Sequence, residues 1–255
     1  MLKITATPEL TYDILNEKIR TSEEKHIRIS NATGQRYIGA GLSGRKIEIE
    51  GTPGNALGAY LDGSTITVDG NVQDATGDTM NSGEIVIQGN AGDATGYAMR
   101  GGAIYIRGNT GYRAGIHMKA YKTQQPAVVV GGIAGSFLGE YQAGGTIIVL
   151  GLDAPKTIDG RITLGAPMAR PITGEFLGTG MHGGAIYIRT EVKPKLPIQI
   201  KVSMAKGFEI PEIKSYIKKF CELFPDTDLE KIMNSSFAVL KPDSENPYKQ
   251  LYTTN

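Results

Sequence analysis

A few residues of this chain could do chemistry, and they are scattered. The histidines are His26, His117 and His182, and an imidazole nitrogen can ligate a metal. His117 and His182 fall at different positions of the repeat described below, more than one repeat apart, with no third ligand near them. Ser43, Ser64 and Ser136 are candidate nucleophiles, but an esterase serine sits in a Gly-x-Ser-x-Gly elbow between a strand and a helix, and these lie within repeats. Arg100, Arg113 and Lys119 could offer a positive patch to an anionic substrate or a partner, or simply form a solvated corner. The glycines invite a phosphate-cradle reading, yet they recur in every repeat, whereas a phosphate loop occurs once, ahead of a helix. No catalytic, cofactor-binding or metal-ligating residue is therefore assigned.

Bulk properties narrow the classes. The 255 residues carry a net charge of +1, with 21% charged, which gives no electrostatic case for nucleic acid or an anionic membrane. The single cysteine, Cys221, excludes an internal disulfide and a cysteine-built zinc or iron–sulfur site within the chain. No apolar run approaches the roughly 20 residues that span a bilayer. The start, Met1-Leu2-Lys3-Ile4-Thr5, lacks the long apolar core of a signal peptide, so a cytoplasmic location is expected.

What must position any site is a nineteen-residue repeat. Ile47, Ile66, Ile85 and Ile104 keep that spacing, as do Gly51, Gly70, Gly89 and Gly108, and Gly58, Gly77, Gly96 and Gly115. Each unit holds a short alternating strand, such as Ile47-Glu48-Ile49 or Ile104-Tyr105-Ile106, which puts its isoleucines on one face. Gly70-Asn71, Gly89-Asn90 and Gly108-Asn109 follow, residue types that tolerate positive φ at a tight corner. The unit is too short for a strand, a crossover helix and a return. The expected fold is all-β: a single-stranded, right-handed parallel β-helix of about seven coils, one per repeat. Val128-Val129-Val130 comes after an insertion expected at residues 119–126, Ile147-Ile148-Val149 returns to register, and Ile186-Tyr187-Ile188 closes the series. Between them, Arg161-Ile162-Thr163-Leu164-Gly165 reads as a degenerate coil.

Columns carry further expectations. Leu42, Leu61, Met80, Met99, Met118, Gln142 and Met181 form a core ladder. Ser43, Asp62, Asn81, Arg100, Lys119, Ala143 and His182 form a polar stripe. The outward strand column Glu48, Thr67, Val86, Tyr105, Val129, Ile148, Tyr187 turns from polar to apolar, so something covers it from the third unit on: the C-terminal segment or a partner. Three segments follow: a cap at 1–36, the β-helix at 37–190, and a partly helical extension at 191–255. The run Lys193-Pro194-Lys195-Leu196-Pro197 reads as the linker into that extension. In the cap, Thr7-Pro8-Glu9 signals a helix start, with Leu10, Ile14 and Ile19 on one side. In the extension, Ile210, Ile213, Ile217, Phe220 and Phe224 make a helical stripe ended by Pro225, and a second short helix is expected at 228–233.

The run Ile38-Gly39-Ala40-Gly41-Leu42-Ser43-Gly44, the recurring Gly-x-x-x-Gly turns and the closing Gly180-Met181-His182-Gly183-Gly184-Ala185-Ile186-Tyr187-Ile188-Arg189 resemble the GXGXG family over about residues 25–190. That family comprises the C-terminal β-helix domain of the glutamate synthase large chain and the related β-helix subunit of formylmethanofuran dehydrogenase. Tyr112-Arg113-Ala114-Gly115-Ile116-His117-Met118-Lys119 and Leu138-Gly139-Glu140-Tyr141 resemble stand-alone versions of the glutamate synthase domain. The resemblance implies a non-catalytic subunit that organises an amidotransferase and a flavin/iron–sulfur synthase. FMN and iron–sulfur clusters would then sit on partner subunits, with no cofactor here. A homo-oligomer, a role like that of the formylmethanofuran dehydrogenase β-helix subunit and a free-standing β-helix enzyme remain as alternatives.

Overall fold

A computed structural model describes residues 1–152, 171–194, 196–197 and 199–243, together with the strand backbones at Pro155–Ile158 and Arg161–Leu164. The chain runs β1 (Leu2–Thr5), α1 (Tyr12–Thr21), β2 (His26–Thr33), β3 (Lys46–Thr52), β4 (Asp62–Asp69), β5 (Ser82–Ile87), β6 (Ala103–Ile106), β7 (Ala127–Val130) and β8 (Ala143–Val149). It continues through β9 (Pro155–Ile158), β10 (Arg161–Leu164), β11 (Gly183–Arg189), β12 (Ile200–Lys206), α2 (Pro211–Leu223), α3 (Leu229–Met233) and β13 (Ser236–Pro242). One open, mostly parallel sheet of 11 strands, ordered β1 to β8, then β11, β13 and β12, dominates, and the protein is all-β in class.

Register follows the repeat. Ile47 pairs with Ile66, Ile66 with Ile85, Ile85 with Ile104, Ile104 with Val128, Val128 with Ile147, and Ile147 with Ile186. The column continues backwards through Ile27 to Leu2, so the first 36 residues add two parallel strands to the same sheet. β-branched side chains suit this pleated ladder, and the stacked residues from Ile27 to Ile186 are all wholly buried. The turn glycines Gly39, Gly58, Gly77, Gly96, Gly115, Gly139 and Gly178 all have φ between +63° and +75°. Most of them also lie against the strand residue of the next unit: a Cβ on Gly115 would come 2.4 Å from Ile147 Cδ1, and one on Gly77 2.4 Å from Ile104 Cδ1. At the last turn Ile200 of β12 takes that place, so a strand of the C-terminal extension closes the stack.

Several expectations are corrected. Asn71, Asn90 and Asn109 do not adopt positive φ. Each instead turns its Oδ1 to the next unit, accepting from Asn90 N, Asn109 N and Ile133 N at 2.8, 2.8 and 2.9 Å. The glycines before Asn90 and Asn109 answer to close approach, since a Cβ on Gly89 would meet Gly70 O at 2.6 Å. The expected coil at Arg161 to Leu164 is no unit of the stack: β10 pairs antiparallel with β9 in a two-stranded sheet of its own, and Gly165 lies outside the described residues. The N-terminal helix begins later than Pro8, because Leu10 N closes a turn on Thr7 O (3.0 Å). The later start rephases the helix, so Leu15 and Ile19 are buried while Ile14 is 47% exposed. The insertion at 119–126 turns back on itself through paired hydrogen bonds between Tyr121 and Gln124, and Lys195 of the expected linker lies outside the described residues.

The outward apolar column is covered by the chain's own C-terminal segment. Val86, Tyr105, Val129, Ile148 and Tyr187 pack with Ile213, Ile217, Phe220 and Phe224 of the expected helical stripe, and with Ile232 and Phe237. A glycine makes room for the cover: a Cβ on Gly131 would come 2.8 Å from Phe220 Cζ. Burial raises both tyrosine phenols, Tyr187 to about 12, so they stay neutral under the cover. Arg107, almost fully buried, holds the cover's Asp226 through Nε at 3.0 Å to Oδ2, and Lys219 reaches Glu84 at 3.6 Å.

Gly115→Ala should cost about 1–3 kcal/mol, because a methyl must displace Ile147 at an unfavourable φ; an unchanged urea midpoint would contradict that packing. Phe220→Ala should cost about 3–5 kcal/mol and expose the apolar column to a hydrophobic dye at temperatures where the parallel strands persist.

Candidate interaction surface on the turn edge

The turns position the side chains most available to other molecules. From the second turn on, the glycine N–H points back to the preceding unit, as Gly58 N to Ile38 O and Gly77 N to Leu57 O, both 2.8 Å. The residues two before and two after it donate forward, as Arg113 N to Ser136 O (2.9 Å) and His117 N to Glu140 O (2.9 Å). Donors that alternate in direction require a backbone that turns tightly at each step. The two flanking columns therefore also sit at positive φ: Tyr37, Ala56, Ala75, Ala94, Arg113, Phe137 and Phe176 in one, Gly41, Tyr60, Thr79, Ala98, His117, Tyr141 and Gly180 in the other. Bulky side chains there cost on the order of 1–3 kcal/mol each.

Those bulky residues, joined by Tyr97 from the position just after the glycine, form two ordered rows. Tyr97 meets His117 edge-on at 5.9 Å, and His117 stacks on Tyr141 at 5.2 Å and 10°. Tyr141 lies over Gly180, where a Cβ would come 2.4 Å from its ring. Beside them the Arg113 guanidinium sits 4.6 Å from the Phe137 centroid, its Nε donates to Glu140 Oε2 at 3.1 Å, and Phe137 stacks on Phe176 at 4.8 Å. Tyr97, His117, Tyr141 and Phe176 remain exposed.

The sequence candidates distribute as follows. Arg113 and His117 enter these rows, and Arg100 and Lys119 stand exposed beside them. His182 is separate, its Nδ1 3.2 Å from Gly180 O. His26 lies on the strand face, its Nε2 3.3 Å from Glu48 Oε1 but poorly aligned for a hydrogen bond. Among the described residues no group of three His, Cys, Asp or Glu side chains could hold a metal ion. Ser64 Oγ is buried and accepts from Arg45 N (3.1 Å), Ser136 Oγ accepts from Glu175 N (3.0 Å), and Ser43 is exposed at the first turn. Burial raises the Cys221 thiol, which makes it a weak nucleophile. Sequence reasoning passed over Tyr97, Phe137 and Phe176, and named Glu140 and Tyr141 only in a run that carries a family resemblance. Reading the columns two before and two after the turn glycine would have exposed four bulky residues, Arg113, His117, Phe137 and Tyr141, in two consecutive units.

Two other concave regions are polar or terminal. A groove of about 540 Å³ runs between α1 and the first turn, with Tyr12 and Tyr37 5.9 Å apart at its mouth and Ile19 and Leu42 in its wall. Another, of about 350 Å³, lies on the uncovered strand face among Arg28, Glu48, Glu50, Thr67 and Asp69. There the Lys46 ammonium, 2.7 Å away, and then His26 hold the Glu48 carboxyl below its ordinary 4.5, against opposing desolvation. A carboxylate lowered on folding stabilises the protein above its unfolded value and loses that contribution as pH falls through the folded one. Glu48→Gln should therefore lower the urea midpoint slightly above pH 4.5, with the difference from the parent shrinking toward zero in acid; a difference that grows in acid would reverse the assignment.

Residues 5–242 match the sequence profile described as the GXGXG motif. An uncharacterized protein of Methanocaldococcus jannaschii is 42% identical over 255 residues, covering 96% of this chain and 94% of that one. A chain in the crystal structure of the formyltransferase/hydrolase complex from Methylorubrum extorquens, in complex with methylofuran, shares the fold with a TM-score of 0.62. That likeness covers 84% of this chain and 72% of the other at 21% identity. No helix among the described residues is long and apolar enough to cross a membrane. By the extent of the profile match and the similarity to its archaeal relative, the chain belongs to the GXGXG motif family.

Proposed function

We propose that this chain is a non-catalytic structural subunit of a cytoplasmic multi-subunit enzyme complex. Its stacked units are read as about seven coils of a right-handed parallel β-helix at 37–190, flanked by a cap at 1–36 and a covering extension at 191–255. The observation that carries this reading is the fold shared over 84% of its length with a chain of a formyltransferase/hydrolase complex. A role in one-carbon chemistry, like that of the formylmethanofuran dehydrogenase β-helix subunit, is accordingly the leading form of the proposal.

A second form rests on the sequence. The runs from Tyr112 to Lys119 and from Leu138 to Tyr141 resemble stand-alone glutamate synthase domains, and it is these runs that build the turn-edge rows. In that form the chain holds an amidotransferase and an FMN- and iron–sulfur-bearing synthase in register.

Purification of the tagged chain from its own cells, followed by mass spectrometry and assay, separates the two. Co-purifying tungsten- or molybdenum-containing subunits with formyl-transfer activity are expected for the first. Flavin/iron–sulfur and amidotransferase subunits, with glutamine-dependent glutamate formation from 2-oxoglutarate that needs this chain, would replace it by the second. A homo-oligomer that purifies alone would overturn both and favour a free-standing β-helix enzyme.

A further inference from the structure

Arg100 and Lys119 occupy the same column in consecutive units, their backbones donating to Met80 O and Met99 O at 2.9 Å. The two residues thus stand about 4.8 Å apart along the stack. Like charges in directly opposed positions destabilise a sheet. Both are exposed, and neither has an ion-pair partner among the described residues, whereas nearby Arg113 is neutralised by Glu140. An unrelieved repulsion is cheap to remove by evolution and persists where something else repays it.

The ring row beside these cations points the same way. His117 and Tyr141 are held at φ +55° and +52°, in a column whose two ends are Gly41 and Gly180. The backbone therefore accepts glycine there, and glycine would remove the strain. Ring stacking returns only about 0.5–1.5 kcal/mol. Folding alone gives no reason for an exposed row in which His117 and Tyr141 carry that strain, and backbone strain of this kind clusters at functional sites. An exposed aromatic row edged by two cations with no ion-pair partner among the described residues is complementary to an acidic segment that carries apolar side chains.

We infer that the edge formed by Tyr97, His117 and Tyr141 with Arg100 and Lys119 is the docking site for an acidic segment of a partner subunit. The inference rests on the subunit reading above and adds the contact surface and the charge of its partner. The rings supply the buried centre, and the cations steer and fix the acidic segment, so the contact weakens with salt.

Zero-length carbodiimide coupling of the complex purified from its own cells tests this, because it joins a lysine amine only to a touching carboxylate. The expected product links Lys119 to an aspartate or glutamate of a different chain. It should vanish in Lys119→Arg, which keeps the charge and the complex. The double variant Arg100→Glu with Lys119→Glu should recover at least about tenfold less of that subunit at about 0.1 M salt, where charge attraction still reaches about 10 Å. Its thermal midpoint should stay unchanged, because both positions are exposed. A complex that forms while Lys119 couples to nothing, or only to its own chain or a second copy, overturns the docking site and leaves the subunit reading standing. Undiminished recovery with the double variant does the same. No subunit recovered with the parent chain overturns both.

Discussion

The contact between a turn glycine and the strand residue of the following unit governs much of this molecule. It requires that units stack in register at the spacing of a β-ladder. It forbids a side chain at the turn, since a Cβ on Gly139 would come 2.6 Å from Ile186 Cδ1. The same glycine sends its N–H backward, while its neighbours donate forward and take positive φ. Length variation must leave this contact alone. The insertion at 119–126 falls between a turn and the next strand, and the excursion after β8 falls between a strand and the next turn, so Gly115 still meets Ile147 and Gly139 still meets Ile186.

The C-terminal segment resolves the second problem of a stacked sheet, its outer face. The first strands carry Glu48 and Thr67 outward and need no cover. From Val86 onward the outward residues are apolar, and α2 and α3 pack against them. A buried guanidinium at Arg107 is an expensive way to attach a cover, but its bidentate grip on Asp226 fixes orientation where packing of isoleucine on isoleucine would allow sliding. β13 adds antiparallel pairing to β11, which ties cover and sheet into one body.

The parallel register, the methionine ladder, the covered face and both C-terminal helices were legible because each depends on spacing within one segment. Met80, Met99, Met118 and Met181 are wholly buried, and Gln142 joins them by donating from Nε2 to Gly144 O and Gly145 O at 3.1 Å. What escaped depends on the neighbouring unit. Asn71 looked like a corner residue because asparagine tolerates positive φ, but its side chain serves the backbone of Asn90, a partner nineteen residues on. Arg161 to Leu164 had the composition of a strand, and composition does not say which sheet a strand joins. The aromatic edge escaped because Tyr141 and Phe176 belong to units of irregular length, and their columns appear only once the ladder is drawn.

Closure by Ile200 gives the stack a definite length. A parallel ladder presents at its last strand the same surface as at every earlier one, and nothing in the repeat itself tells it to stop. Here the strand after β11 runs in the opposite sense, and β12 beyond it carries Lys201 and Lys206 along its free margin. β12 itself runs again in the sense of β11, so a second molecule arriving at that end meets two antiparallel pairings and ammonium groups in place of the repeat's own register. The break in the repeat and the lysines on its last strand are the devices that keep a fibre-like ladder from propagating between molecules.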